Sequence, residues 1–430
     1  MDNKSHILFA LISLFSVVLL LFTINRENDR EWKVYQAEYV SLLETYAATP
    51  EEKTRIRDIR PEVLQVVVND RSRTDRCTTC HIAIEDTRFA EVPQPLRSHP
   101  EIPDHPFERF GCTICHGGIG QATTLSGAHE GMLREVGMVT PSGDIKYVEE
   151  RISPVVSGDL VYSSCLSCHY GEGRKDEKIL ARGKSLYRGK GCMGCHSIGG
   201  VGGKVGPVLD FIGEKRTDPE WHLRHFTEPG KTSPGSVMPS YKDLSPKRLE
   251  SLVALMIGLR RVPFEMVSGI PLDKKRLGDI IPPPKKKDHW DPPRGLKLEK
   301  NPHIATPQFL VEGKEIFMKF CSQCHGVDGK GRGTGSPNIE PKPADFTKRH
   351  TGMEHPIEGT FWKIASGRGL MPGWKSTFEK REIWALAEYV SSLGRSGGHE
   401  MKDDQNMQMG PGMESGNKAD KGSNMKMDME

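Results

Sequence analysis

Several things are scarce in this 430-residue chain, and each scarcity excludes something. No cysteine stands alone: all ten fall into pairs of one spacing, which leaves no spare thiol for a nucleophile. Neither charge sign is in excess, with 60 basic against 57 acidic residues and a formal net charge of +3, so no global field points to nucleic acid. Apolar residues make up only 36% and aromatics 7%, against 45 glycines and 30 prolines. Side chains alone therefore supply little core for a length that suggests two to four domains. Something other than side chains is expected to fill the interior.

One long apolar run breaks the pattern. Ile7 to Ile24, ILFALISLFSVVLLLFTI, carries no charge and as a helix would span roughly 27 Å, close to a bilayer's hydrocarbon core. The residues that end it, Phe22, Thr23, Ile24 and Asn25, offer no small-residue cleavage site. The run reads as an uncleaved membrane anchor.

Every cysteine belongs to a Cys-x-x-Cys-His unit. The thiol pairs are Cys77 and Cys80, Cys112 and Cys115, Cys165 and Cys168, Cys192 and Cys195, and Cys321 and Cys324, followed by His81, His116, His169, His196 and His325. Two thiols at this spacing can add to the two vinyl groups of one haem, and the next histidine is then carried beneath the iron. Zinc accepts such thiol pairs but has no reason to demand a histidine at the next position five times, and a disulfide framework has none either. Five covalently attached haems c are expected. Such haems are attached outside the cytoplasm, so the expected location is a cytoplasmic membrane with a single-pass anchor, N-terminus inside, and the haem-bearing chain on the periplasmic side.

Residues 31 to 46, EWKVYQAEYVSLLETY, set Trp32, Tyr35, Tyr39, Leu42 and Tyr46 at helical spacing, which suits an interfacial aromatic anchor or a docking stripe for a membrane partner. Residues 56 to 175 hold three motifs in short Gly/Pro-rich sequence without a long periodic helix. From 176 to 261 a helix runs into CMGCH, PGSVMPSY presents Met238, and SPKRLESLVALMIGLR closes as an amphipathic helix. Ser245 is its expected N-cap, Pro246 its first residue, and Leu249, Leu252, Val253, Met256 and Ile257 its apolar stripe. A Pro/Lys-rich linker at 262–305 precedes the same pattern at 306–394, with Met371 in GLMPGW and a capping box from Ser376 to Glu379. The spacing from motif histidine to methionine is 42 residues in one segment and 46 in the other, which reads as an internal repeat.

These two segments resemble class I cytochromes c through the helix before the motif, Gly206-Pro207-Val208-Leu209, the Met-Pro pairs at 238 and 371, and the closing helix. The resemblance implies His196 and Met238 on one iron and His325 and Met371 on another, with the Pro207 carbonyl orienting His196 and Pro337 in the equivalent place for His325. The expected fold class is mainly α with much irregular loop: an N-terminal transmembrane helix (1–30), a juxtamembrane helix (31–55), a loop-rich triheme module (56–175), two class I cytochrome c domains, and a Met-rich tail (395–430).

For the first three motifs, only His99, His105 and His129 lie between Cys77 and Cys165 outside the motifs themselves. Three haems and three spare histidines suggest bis-His ligation. Met132, Met138, His222 and His225 are the substitutes, the last two reading better as surface or propionate-contacting residues. The five-haem, single-helix layout is similar to the multihaem subunit of alternative complex III-like quinol:cytochrome c oxidoreductase systems. That implies an integral membrane quinol-oxidising partner, and another cytochrome or a terminal oxidase or reductase as acceptor. The reading is an electron-transfer subunit without a catalytic residue of its own. A multihaem reductase or peroxidase with one open haem, or a conduit to an extracellular acceptor, is the competing class. Seven of the 17 methionines lie in the tail from Met401 to Met429; thioethers suit copper(I), although a solvated low-complexity tail is the plainer reading.

Overall fold

An uncharged run with no apolar partner of its own can only form a straight, unaccompanied helix, and it does so over Asn3–Asn28. In the computed structural model its apolar side chains all face outward, and His6–Glu27 has a mean hydropathy of 2.9. The described residues are 3–68, 73–139, 144–169, 178–260, 290, 292–293, 295–337, 339–348 and 356–395. Most of the linker and the tail beyond Arg395 lie outside them.

The helix breaks at Arg30, whose backbone is extended, and a second begins at Glu31–Tyr46. Part of its aromatic stripe packs inward, while Tyr46 stays 47% exposed. Trp32 and Leu43 are buried, while Tyr39 and Tyr46 pack on Phe89 at 5.3 and 5.7 Å between ring centres. Gln36, also buried, donates to the Glu62 and Thr79 carbonyls at 2.7 and 2.9 Å. Leu43, Ala83, Phe89 and Leu96 form a small core with this helix as one wall.

The segment with the first three motifs is loops and short turns, with two strand pairs that the mainly α expectation omitted: a short one, Val66–Val68 against Arg73–Asp75, and a longer ribbon. Met132–Val139 pairs antiparallel with Ile145–Ile152 in a two-stranded ribbon, Met132 opposite Ile152 and Val139 opposite Ile145. A Thr-Pro-Ser-Gly-Asp turn sequence lies between two runs that mix apolar and charged residues, the pattern of a half-exposed hairpin. Leu133 and Tyr147 are exposed on it, and Met132, a substitute ligand, is 56% exposed.

Beyond it, Lys178–Gly189 and Pro246–Gly258 cross closely. The second helix is buried nearly all round, not along one stripe: Ser251, Ala254, Leu255 and Gly258 are covered as well as the five expected apolar residues. The crossing rests on small residues. A Cβ on Gly183 would meet the Ser251 carbonyl oxygen at 2.2 Å, so only glycine permits this approach. Ser245 stands at the N-cap position with Pro246 following, but its hydroxyl does not close the helix end. The last helix, Lys380–Arg395, packs on Pro307–Ile316 and Ile357–Ser366. Its capping differs from the Ser376–Glu379 expectation. Glu379 takes the cap position and its N–H donates to the Glu382 carboxylate at 2.8 Å, a box shifted one turn onward.

The two closing segments touch through their methionine loops. Leu370 joins the core that contains Leu180 and Leu255, and Lys190 bridges to Gly369. Thr377 accepts from the Ser240 N–H at 2.8 Å, and Lys375 pairs with Asp243 at 3.3 Å.

Candidate haem-binding sites

The first three motif histidines each face one non-motif histidine. Ring centres are 6.1 Å apart for His81 and His129, 6.0 Å for His116 and His99, and 6.2 Å for His169 and His105. A ring–ring distance of this size also fits an edge contact. The pairing, however, is one-to-one, always a motif histidine with a spare one, and it uses all three of each. Two metal–nitrogen bonds of about 2 Å, with roughly 1 Å from each ring centre to its nitrogen, also sum to about 6 Å.

The pairing interleaves the chain. His81 takes a partner from beyond the second motif, whereas His116 and His169 take theirs from the loop between the first two. Leu125–His129 is a short helix whose N-cap Thr124 accepts from Gly127 N–H, and it carries His129 back to His81. The His-Pro loop supplies both His99 and His105.

One of the two ring nitrogens is held in almost every case. His81 Nδ1 donates to the Pro95 carbonyl at 3.1 Å, His116 to Val156 at 3.1 Å, His99 to Pro100 at 2.7 Å and His105 to Pro103 at 2.8 Å. A carbonyl can only accept, so the proton sits on Nδ1 and the Nε2 lone pair is left to bind a metal. Burial pushes the His81 and His116 imidazoles below their ordinary value, which keeps them neutral.

The last two motifs follow the same rule. His196 Nδ1 donates to the Pro207 carbonyl at 2.8 Å, and His325 Nδ1 to Ala344 at 3.2 Å. The acceptor for His325 is therefore not Pro337. The loop after the fifth motif is longer and brings a later carbonyl to the ring, with Phe346 stacked on the imidazole at 4.5 Å. Gly206 lies against His196, where a Cβ would stand 2.5 Å from Cε1. Met238 is half-buried against the fourth-motif core, and Met371 is half-buried in the fifth. Burial pushes the thiols of Cys192 to about 11 and of Cys195 and Cys321 to about 12. Among the described residues no three His, Cys, Asp or Glu side chains converge. Pairs of neutral nitrogens beside paired thiols fit a metal whose remaining ligands arrive with a covalently held macrocycle.

Two family models match. Residues 309–390 fit cytochrome c oxidase, cbb3-type, subunit III, and residues 202–264 fit the cytochrome c oxidase mono-heme subunit/FixO. A cytochrome c6 of Tetradesmus obliquus is 32% identical over 87 residues, 19% of this chain and 86% of its own length. The chain belongs to the c-type cytochromes. The FixP subunits of cbb3-type cytochrome c oxidase from Sinorhizobium medicae and Bradyrhizobium diazoefficiens match this cytochrome at 24% and 28% identity. They cover 50% and 51% of its chain, which in turn spans 61% and 64% of theirs. The cytochrome thus carries electron-transfer domains related to those of a respiratory oxidase.

Two residues of the cytochrome escaped sequence reasoning. Asp75, buried two positions before Cys77, accepts from Cys112 N–H at 2.6 Å, Thr113 N–H at 2.9 Å and Thr113 Oγ1–H at 2.7 Å. It ties the chain just before the first motif to the second. Arg260 does the same for the second and third motifs. Its Nη2 donates to the Ile114 carbonyl at 3.0 Å and Ser164 Oγ at 2.7 Å, and its Nε to Ser167 Oγ at 3.1 Å. Each looked like an ordinary charge beside a motif or at a helix end. His222 corrects the surface reading: it is 2% exposed, and its Nε2 donates to the Arg216 carbonyl at 2.8 Å. His225 stacks on Trp221 at 4.7 Å.

Proposed function

We propose that this cytochrome carries five covalently attached haems c and passes electrons from a quinol-oxidising membrane partner to another cytochrome or a terminal oxidase or reductase. The observation that carries the reading is the set of three His–His pairs near 6 Å beside three thiol pairs. Cys77, Cys80, Cys112, Cys115, Cys165, Cys168, Cys192, Cys195, Cys321 and Cys324 are the thioether donors. His81 and His129, His116 and His99, and His169 and His105 are the axial pairs, with His196 and Met238, and His325 and Met371, for the last two. Bound haem c supplies reversible one-electron chemistry of iron.

The chain's own residues hold and orient these donors. Backbone carbonyls fix the tautomers of His81, His99, His105, His116, His196 and His325, and burial pushes His196 and His325 below their ordinary value. The exposed N-terminal helix holds the chain in a membrane, with the remainder on the periplasmic side. One helix cannot enclose a quinone, so the pocket belongs to a polytopic partner.

The test is to purify the full chain from membranes, count covalent haem per chain, and identify the membrane protein that accompanies it. Five haems, no reduction of the isolated chain by quinol, and rapid reduction in the complex are expected. Fewer than five haems, or peroxide or substrate turnover by the isolated chain, would overturn the reading.

A further inference from the structure

Arg260 follows the closing helix of the fourth-motif segment, two residues past Gly258. A cation here would ordinarily answer its own helix's dipole. Its guanidinium instead reaches away, into the turns of two other motifs. Ile114 lies inside the second Cys-x-x-Cys loop and Ser167 inside the third, and both bond to it. Ser164 completes the junction by donating its own hydroxyl to the Cys115 carbonyl. A small cavity beside His116 is lined by Arg260 together with Ser153, Ser163 and Thr217.

Among the described residues, the hydrogen-bond partners of this guanidinium are neutral. The charged-group neighbours that bear on it are only the sulfurs of Cys115 and Cys168, and among the described residues no carboxylate pairs with it. Those sulfurs carry no charge once they are thioethers. A half-buried positive charge without a counter-ion keeps its field in a poorly screened interior. The iron of a haem loses one unit of positive charge on reduction, so a fixed cation nearby favours the reduced form.

We propose that Arg260 is a positioning residue that raises the reduction potentials of the haems at His116 and His169, together and selectively, by holding an unneutralised guanidinium between their two motif loops. This rests on the proposed haem occupancy of those motifs and adds a residue outside every ligand set.

Two full-length variants test it by redox titration, each with its covalent haem counted. Arg260→Gln removes the charge, and Ser167→Asp leaves the arginine but gives it a counter-ion. Each is expected to lower the reduction equilibrium constant of two of the five haems about tenfold, which is about 59 mV for a one-electron couple, and to leave the other three in place. Arg260→Lys keeps the charge and is expected to keep the potentials. Unmoved potentials in Arg260→Gln or Ser167→Asp at full haem content, or equal shifts of all five haems, overturn the proposal while leaving the proposed function intact. A wild-type chain without haem at these motifs fails the proposed function itself. If Arg260→Gln loses haem, Ser167→Asp decides. If that variant also loses haem, lowered potentials in Arg260→Lys overturn the proposal and unchanged ones sustain it.

Discussion

At the scale of single residues, the two His-Pro pairs show how a plain feature becomes a donor. Proline restricts the residue before it to extended backbone, and the carbonyls of Pro100 and Pro103 then take the Nδ1 protons of His99 and His105. On the proposed ligation, replacing His99, His105 or His129 with alanine removes one sixth ligand each. One of five haems is expected to turn from low-spin to high-spin and to gain carbon monoxide binding, the other four keeping their spectra. Unchanged absorption and electron paramagnetic spectra in both His99→Ala and His105→Ala would sink the assignment. His222 makes a second prediction. Burial pushes its pKa to about 4 from 6.5, so the unfolded chain gains a proton in a pH range where the folded one does not. The stabilisation is complete above about pH 6.5 and is lost as pH falls toward 4, by about 3 kcal/mol. His222→Gln, which keeps a donor for the Arg216 carbonyl, is expected to flatten that slope in denaturant titrations; identical slopes would count against it.

At the scale of elements, the close crossing of Lys178–Gly189 over Pro246–Gly258 depends on Gly183. Gly183→Ala places a methyl 2.2 Å from a backbone oxygen and forces the helices apart, at a cost of about 1–3 kcal/mol in unfolding free energy. Gly189→Ala, at the end of the same helix with no atom within 4 Å of the added methyl, is expected to be neutral or to stabilise by up to about 1 kcal/mol. Equal effects of the two would show that the crossing is loose. Elements of this kind were largely legible. The anchor helix, the closing helix and the motif turns follow from uncharged length, apolar spacing and thiol spacing, which are local signals. The ribbon at 132–152 was legible too, in its turn sequence and mixed strands, but glycine and proline content around it pointed to loop. The Arg260 junction was not legible. It joins residues 114, 164 and 167 to one 93 to 146 residues later, and nothing in the local pattern of an arginine after a helix indicates where its side chain goes. The same holds for Ala344, which displaced Pro337 because loop length, not the presence of proline, decides which carbonyl reaches His325.

At the scale of the whole molecule, the motifs form a connected series rather than isolated sites. Asp75 joins the first to the second and Arg260 the second to the third. Leu166 and Gly258 pack the third against the fourth-motif core, and the Met371 loop lies on the fourth motif through Leu370 and Pro372. With the proposed ligands, axial chemistry would set a gradient along such a series, because a methionine on one side of the iron raises its potential relative to two imidazoles. Three lower-potential haems near the membrane and two higher-potential ones at the far end are therefore expected in a redox titration of the full chain. Met238→His changes one thioether ligand to a nitrogen, and it should move one haem from the upper group to the lower without altering the haem count. Met371→His should do the same to the other. If the two His/Met haems instead titrate below the other three, electrons would run toward the membrane. The chain would then be a donor to its membrane partner rather than an outlet from it.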